Sequence, residues 1–266
     1  MSKNRRLLMW VGASIVFLGI FFRFFGSSVD LLQTRYIAWK IPDVMKVPVE
    51  LADRSVSTRV GKAATFGGYD FELPWDDVVE SKTKNSGRME LVKFGSGKML
   101  LISSSAPKEF VNGFFETARW DREAFRQVYG ERPVQSDYGM YRFLLNTTPS
   151  QVSFFSPRKD LTGCSMILMV KAMAMPPMSS GLFSVETNRF AGFQYGDPRK
   201  NTSRVAVELF DGAGGVEFTF EAGKRDAGRW ISQGEINRVM QSVQRSTAAE
   251  RLNGALKVLV QEHNQE

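Results

Sequence analysis

Residues 182–220 read LFSVETNRFAGFQYGDPRKNTSRVAVELFDGAGGVEFTF, and this stretch decides the fold. Leu182 to Val185, Phe190 to Tyr195, Val205 to Phe210 and Val216 to Phe220 are short runs rich in β-branched and aromatic residues, the composition of strands. Asp197-Pro198 and Asp211-Gly212-Ala213-Gly214-Gly215 interrupt them with turn chemistry, so the chain doubles back and the strands run antiparallel.

Downstream, Ser232-Gln233-Gly234-Glu235 has the capping-box spacing, and Ile236, Val239, Met240 and Val243 give the helix that follows one apolar face. Upstream, Tyr69, Phe71 and Leu73 alternate with Asp70 and Glu72 as a half-buried strand ending at Pro74. Val92 and Phe94 lead into Gly95-Ser96-Gly97, after which Lys98 to Ile102 resumes an apolar run, the mark of a hairpin. Pro107 opens a helix with Phe110, Val111, Phe114, Phe115 and Ala118 on one stripe, continued by Phe125 and Val128 and stopped at Gly130 and Pro133. Tyr138, Tyr141, Leu144 and Leu145 predict a second helix, and Thr148-Pro149-Ser150-Gln151 has the capping box of a third. The apolar run Cys164 to Met175 fits a strand or a helix by periodicity, and its Met, Leu and Ala content favours helix.

The sum is an α+β fold, an antiparallel sheet covered by helices and preceded by one N-terminal transmembrane helix. Lys3, Arg5 and Arg6 stand before Leu7 to Phe25, an apolar run broken only by Ser14 and Arg23. At ~1.5 Å per residue this run reaches about 28 Å, close to the ~30 Å hydrocarbon core of a bilayer. Gly26 and Ser28 supply small residues for a signal-peptidase cut, but the length of the run and the bulk of Phe21, Phe22, Phe24 and Phe25 favour a retained anchor over a cleaved, secreted form. Arg23 lies near the end of the run, where its guanidinium reaches the headgroups. The basic residues before the run place the N-terminus in the cytoplasm and the rest of the chain outside it. Four segments follow: an anchor at 1–26, a juxtamembrane linker at 27–62 with a short helix and an extended connector, an α+β globular domain at 63–245, and a polar or helical tail at 246–266.

The formal net charge of +7 is mostly a property of that anchor. Its four basic residues meet no acid, which leaves 31 basic against 28 acidic residues in the remainder, a formal +3. This balance gives no footprint for nucleic acid, and the sets Arg119/Arg122/Arg126 and Arg199/Lys200/Arg204 read as solvated faces broken up by Asp121, Glu123 and Asp197. Cys164 is the only cysteine and His263 the only histidine. An intrachain disulfide, a CxxC pair, a histidine-based catalytic triad and the usual histidine metal sites are thereby excluded. Cys164 reads as a small buried hydrophobe.

Several motifs approach chemistry and fall short of it. Phe94-Gly95-Ser96-Gly97-Lys98 lacks the spacer and the Ser/Thr of a phosphate-binding loop and lies between strands, and Gly212 to Gly215 precedes a strand where a dinucleotide fingerprint would open a helix. Ser105-Ala106-Pro107-Lys108 has the S-x-x-K spacing of penicillin-recognising acyl enzymes without their companion elements, and Ser105 reads as a helix cap. Asp76-Asp77, with Glu80 nearby, reads as a turn or helix start. Asn146 and Asn201 meet the glycosylation spacing, which counts only in a eukaryotic secretory setting, and Trp75, Trp120 and Trp230 read as packing. No catalytic, cofactor-binding or metal-ligating residue is assigned and no cofactor is expected. The partners expected are the lipid bilayer, through residues 7–25, and a protein partner, with no nucleic acid. The expected function is that of a membrane-tethered, non-enzymatic extracytoplasmic domain that binds a partner or ligand or supports an envelope assembly. The alternative is a membrane-associated hydrolase using carboxylates or Ser105 without histidine.

Overall fold

The computed structural model describes residues 28–58, 61–84, 87–95, 97–153, 156, 158–174, 180–200, 202–223 and 230–246. In chain order, helix α1 covers 28–40, a 3-10 turn Pro42–Met45, and strands β1 Val49–Glu50, β2 Ala63–Phe66 and β3 Tyr69–Glu72. Strands β4 Val78–Lys84, β5 Met89–Phe94 and β6 Met99–Ser105 follow, then helices α2 Glu109–Ala118, α3 Arg122–Tyr129, α4 Arg132–Gln135 and α5 Asp137–Asn146. A 3-10 turn Pro149–Gln151 and helix α6 Arg158–Ala174 lead to β7 Leu182–Glu186, β8 Ala191–Tyr195, β9 Arg204–Phe210 and β10 Gly215–Glu221. Helix α7 Gln233–Ser242 and the short β11 Gln244–Arg245 close the described chain.

The chain divides into two compact units. The larger, Pro48–Arg142 with the residues from Pro176 onward, holds an eight-stranded sheet in the order β1-β7-β8-β9-β10-β6-β5-β4. β1 runs parallel to β7, and every other neighbouring pair is antiparallel. A second sheet, β11-β3-β2, lies in the same unit. Alternation sends Val205, Val207 and Leu209 of β9, Val216, Phe218 and Phe220 of β10, and Leu100 and Ile102 of β6 to one face. There they join Tyr69 and Phe71 of β3 and Ile236, Val239 and Met240 of α7 in one continuous core. Ser232 accepts the Glu235 amide and Glu235 accepts the Ser232 amide at 2.8 Å, so the capping box fixes where α7 begins and which stripe it buries. Gly192 allows β8 to lie close against β9, because an added methyl would overlap the Glu208 carbonyl.

The smaller unit, the residues up to Val47 with Phe143–Met175, is helical among its described residues. Ile37 of α1, Val44, Val152 and Leu161, Cys164 and Leu168 of α6 form its core. Lys171 lies fully buried within it, its ammonium donating to the carbonyls of Lys46 at 2.7 Å, Leu145 at 2.7 Å and Thr147 at 2.9 Å. Three donors meet three acceptors, so the buried cation caps the carbonyl end of α5 and ties it to the turn after α1.

The α+β reading, the antiparallel strands, the β5–β6 hairpin and the helical state of Cys164 to Ala174 stand as expected. The single helix from Pro107 to Val128 does not form. Arg119 takes a left-handed φ of 50°, which ends α2, and the Asp121 carboxylate accepts the Ala124 amide at 2.7 Å to start α3 afresh. Pro133 opens α4 in place of stopping a helix. The capping residues Thr148 and Gln151 start only a 3-10 turn, and α6 begins at Arg158. Among the described residues no helix is long and apolar enough to cross a membrane. The apolar run 7–25 and nearly all of the 246–266 tail lie outside them.

Candidate functional site

The residues that the sequence singled out for chemistry are not brought together. Ser105 ends β6 opposite Gly215 and caps no helix, while Lys108 precedes α2 in a left-handed conformation with φ 58°. Asp76 and Asp77 are exposed in the turn before β4 and start no helix. Glu80 on β4 is held between Lys82 at 2.5 Å and Lys93 at 2.8 Å, whose hydrogen bonds, helped by their charges, bring its carboxyl down to about 2. Gly95 and Gly97 form the β5–β6 turn, with the Gly97 amide on the Phe94 carbonyl at 2.9 Å, and Gly212 to Gly214 turn β9 into β10. Trp75 and Trp230 are buried in the core of the larger unit, and Trp120 packs edge-on against Phe125. Cys164 is buried, and burial pushes its thiol up to about 11, so it carries little thiolate. Asn201 lies outside the described residues.

A different set converges on the face of the large sheet turned away from the core. Glu208 of β9 stands directly opposite Glu217 of β10, an antiparallel pairing that holds Cβ atoms roughly 5 Å apart. Ser103 Oγ donates to Glu217 at 3.3 Å from β6, and Thr219 Oγ1 donates to it at 3.0 Å from two residues along β10. The Tyr141 hydroxyl, from α5, donates to Glu208. On the other side of β9, Phe193 faces Glu208 and Tyr195 faces Ala206. Tyr138 stacks on Phe193 with centroids 5.5 Å apart, and Tyr141 lies 5.4 Å from Phe210, so aromatic rings wall the pair.

The electrostatics of this set are unusual for a sheet. Burial pushes the Glu208 carboxyl up to about 8, and the charge of Glu217 opposite adds to the shift. The hydrogen bond from Tyr141 works against it, and Asp137 adds a further negative charge. The pair therefore holds a proton at neutral pH. Burial and the same two glutamates push the Tyr141 and Tyr195 hydroxyls well above their ordinary range. Tyr195 is only 5% exposed, and among the described residues its hydroxyl has no hydrogen-bond partner. Asp137 has a structural task beside the pair: its carboxylate accepts the Val111 amide at 2.9 Å and the amides of residues 108–110, closing the start of α2. Burial nevertheless raises its pKa. Lys108, Asp137, Tyr138 and Phe210 border a small pocket of about 20 Å³, room for one water molecule.

Sequence reasoning missed Glu208 and Glu217, although a signal was present. VEFTF alternates, so Glu217 reads as a solvent-facing residue, but VAVELF is an apolar run, the pattern of a strand buried on both faces, and it carries one glutamate. An acid in such a run has no solvent face to occupy.

The smaller unit offers a second feature. Val29, Leu32, Tyr36 and Trp39 recur at helical spacing along α1 and are 49%, 68%, 57% and 69% exposed. Lys40 lies beside them, its ammonium 4.5 Å from the Trp39 ring centroid and 5.8 Å from that of Tyr36. No known family pattern, curated protein or solved structure matches the chain. Among the described residues no three His, Cys, Asp or Glu side chains gather as metal ligands.

Proposed function

We propose that the protein is a single-pass, membrane-tethered, non-enzymatic domain held outside the cytoplasm, where it binds a partner or ligand or supports an envelope assembly. The exposed stripe of α1 carries this reading. The inner face of α1 is already used, since Leu31, Ile37 and Ala38 pack into the core of the smaller unit, so a second apolar face needs another environment. The stripe begins four residues after the apolar run 7–25 with the aliphatic Val29 and Leu32, and it ends in the residues that populate the headgroup zone: Tyr36 and Trp39, aromatic side chains with polar tips, beside Lys40. In this reading residues 7–25 hold the bilayer and α1 lies along its surface.

A second reading, a histidine-free hydrolase, draws support from one observation, the Glu208–Glu217 pair, since a shared proton suits acid-base work. The residues that the sequence offers for it, Ser105 and Asp76-Asp77, are spread over different elements.

Membrane extraction and intact mass together test the tether. The whole 30.0 kDa chain is expected to stay with membranes through an alkaline carbonate wash and to show no N-terminal processing. A mature chain beginning near Ser27 to Val29, or release by carbonate, would overturn it.

A further inference from the structure

We propose that the Glu208–Glu217 pair is a binding site for an alkylammonium group, supplied by a small amine or by a lysine side chain of a partner. The proposal rests on the reading of this domain as a binding module and names the class of ligand. Two carboxylates face each other across β9 and β10, and among the described residues neither forms an ion pair with a basic side chain. Like charges directly opposite on neighbouring strands destabilise a sheet unless something compensates them. Independently, Tyr195 on the next strand presents a buried hydroxyl that has no partner among the described residues, within the field of both glutamates. An orphaned buried hydroxyl carries a desolvation cost, which a ligand atom placed beside it would remove.

The geometry selects among ligands. An anion is excluded by the sign of the site. A divalent cation of the calcium type takes six to eight oxygen ligands, and the third nearby acid, Asp137, is already engaged with the amides at the start of α2. A primary ammonium has three donors, and the site offers three acceptors in Glu208, Glu217 and the Tyr195 oxygen. Phe193, Phe210 and the rings of Tyr138 and Tyr141 supply the apolar and π-rich wall that suits an alkyl chain ending in a cation. Each glutamate residue keeps part of its surface exposed, while the Glu208 carboxyl itself is buried.

Binding is coupled to protons. The groups facing the pair are Tyr195 from β8, Tyr141 and Asp137 from α5, and Ser103 from β6. None of them is a cation, so the charge that arrives with the ligand displaces the proton held on the pair. The ligand enters already protonated, no covalent bond changes, and up to one proton leaves to the buffer.

Titration calorimetry on the full chain in detergent, near pH 7 and in two buffers of different ionisation enthalpy, tests this. The probes are n-butylammonium chloride, a short peptide with one central lysine, methylguanidinium chloride and calcium chloride. Saturable binding of butylammonium with net proton release is expected, at least tenfold weaker in the Glu208→Gln, Glu217→Gln double variant. That variant should keep the wild-type circular dichroism and a melting temperature at or above wild type, because it removes a like-charge contact. Peptide binding at least tenfold tighter than butylammonium identifies a partner lysine as the source, and comparable affinities identify a free amine. Absence of binding by both amines, preference for methylguanidinium or calcium, or unchanged affinity in the folded double variant would overturn the proposal. None of these results bears on membrane extraction or intact mass, which test the tether separately.

Discussion

Glu208 and Lys171 are both buried ionisable residues, and they are stabilised in opposite ways. Lys171 gives each of its three N–H bonds a carbonyl, and burial still brings its pKa down to about 8. Lys171→Met would leave three carbonyls without their donor, so a loss on the order of 3 kcal/mol is expected in chemical denaturation. A change under ~0.5 kcal/mol would contradict this role. For Glu208 the folded-state pKa of about 8 stands above the ordinary glutamate value of 4.5. The folded protein thus binds the proton more tightly than the unfolded chain between these values. This contribution to stability is full below about pH 4.5 and is lost as the pH rises through about 8. The melting temperature is expected to fall between pH 5.5 and 8 in the wild type and to vary less in Glu208→Gln, followed by circular dichroism. An identical slope in the two proteins would remove Glu208 as the cause.

At the level of elements, what could be read in the sequence was what local chemistry dictates. The β3, β9 and β10 strands follow from alternation and bounding turns, and α7 follows from a capping box that forms as spaced. Ser232→Ala should therefore cost about 1 kcal/mol, and Gly192→Ala well over that, because a methyl there meets the β9 backbone. Thermal melts of the two variants in that order check the claim, and a neutral Gly192→Ala would refute the close approach. What could not be read depended on register. Glu217 looks like any solvent-facing residue of an alternating strand, and nothing local shows that the pairing sets Glu208 against it or that α5 brings Tyr141 to them. The long helix from Pro107 failed for a related reason: its apolar stripe is real, and Phe125 does pack on Phe114 and Phe115, but it returns there after a break at Arg119. On α1, quenching of tryptophan fluorescence by brominated lipids in proteoliposomes is expected to drop in Trp39→Ser, since Trp39 belongs to the exposed stripe. No change would place that face away from lipid.

For the whole molecule, the charge pattern and the surface of α1 bear on one question, the side of the membrane on which the folded units lie. Lys3, Arg5 and Arg6 before the apolar run meet no acid, while the residues after it are close to neutral, a distribution that describes insertion better than binding of nucleic acid. Cys164 makes orientation directly measurable, because it is the only cysteine and it is buried. In a Cys164→Ala background, Val79→Cys puts one thiol at a position on β4 that is 71% exposed in the native protein. Spheroplasts of an expressing bacterial host, treated with a membrane-impermeant maleimide, should label this cysteine as fully as permeabilised cells do. Labelling that appears only after permeabilisation would place the domain in the cytoplasm and contradict the proposed extracytoplasmic tether.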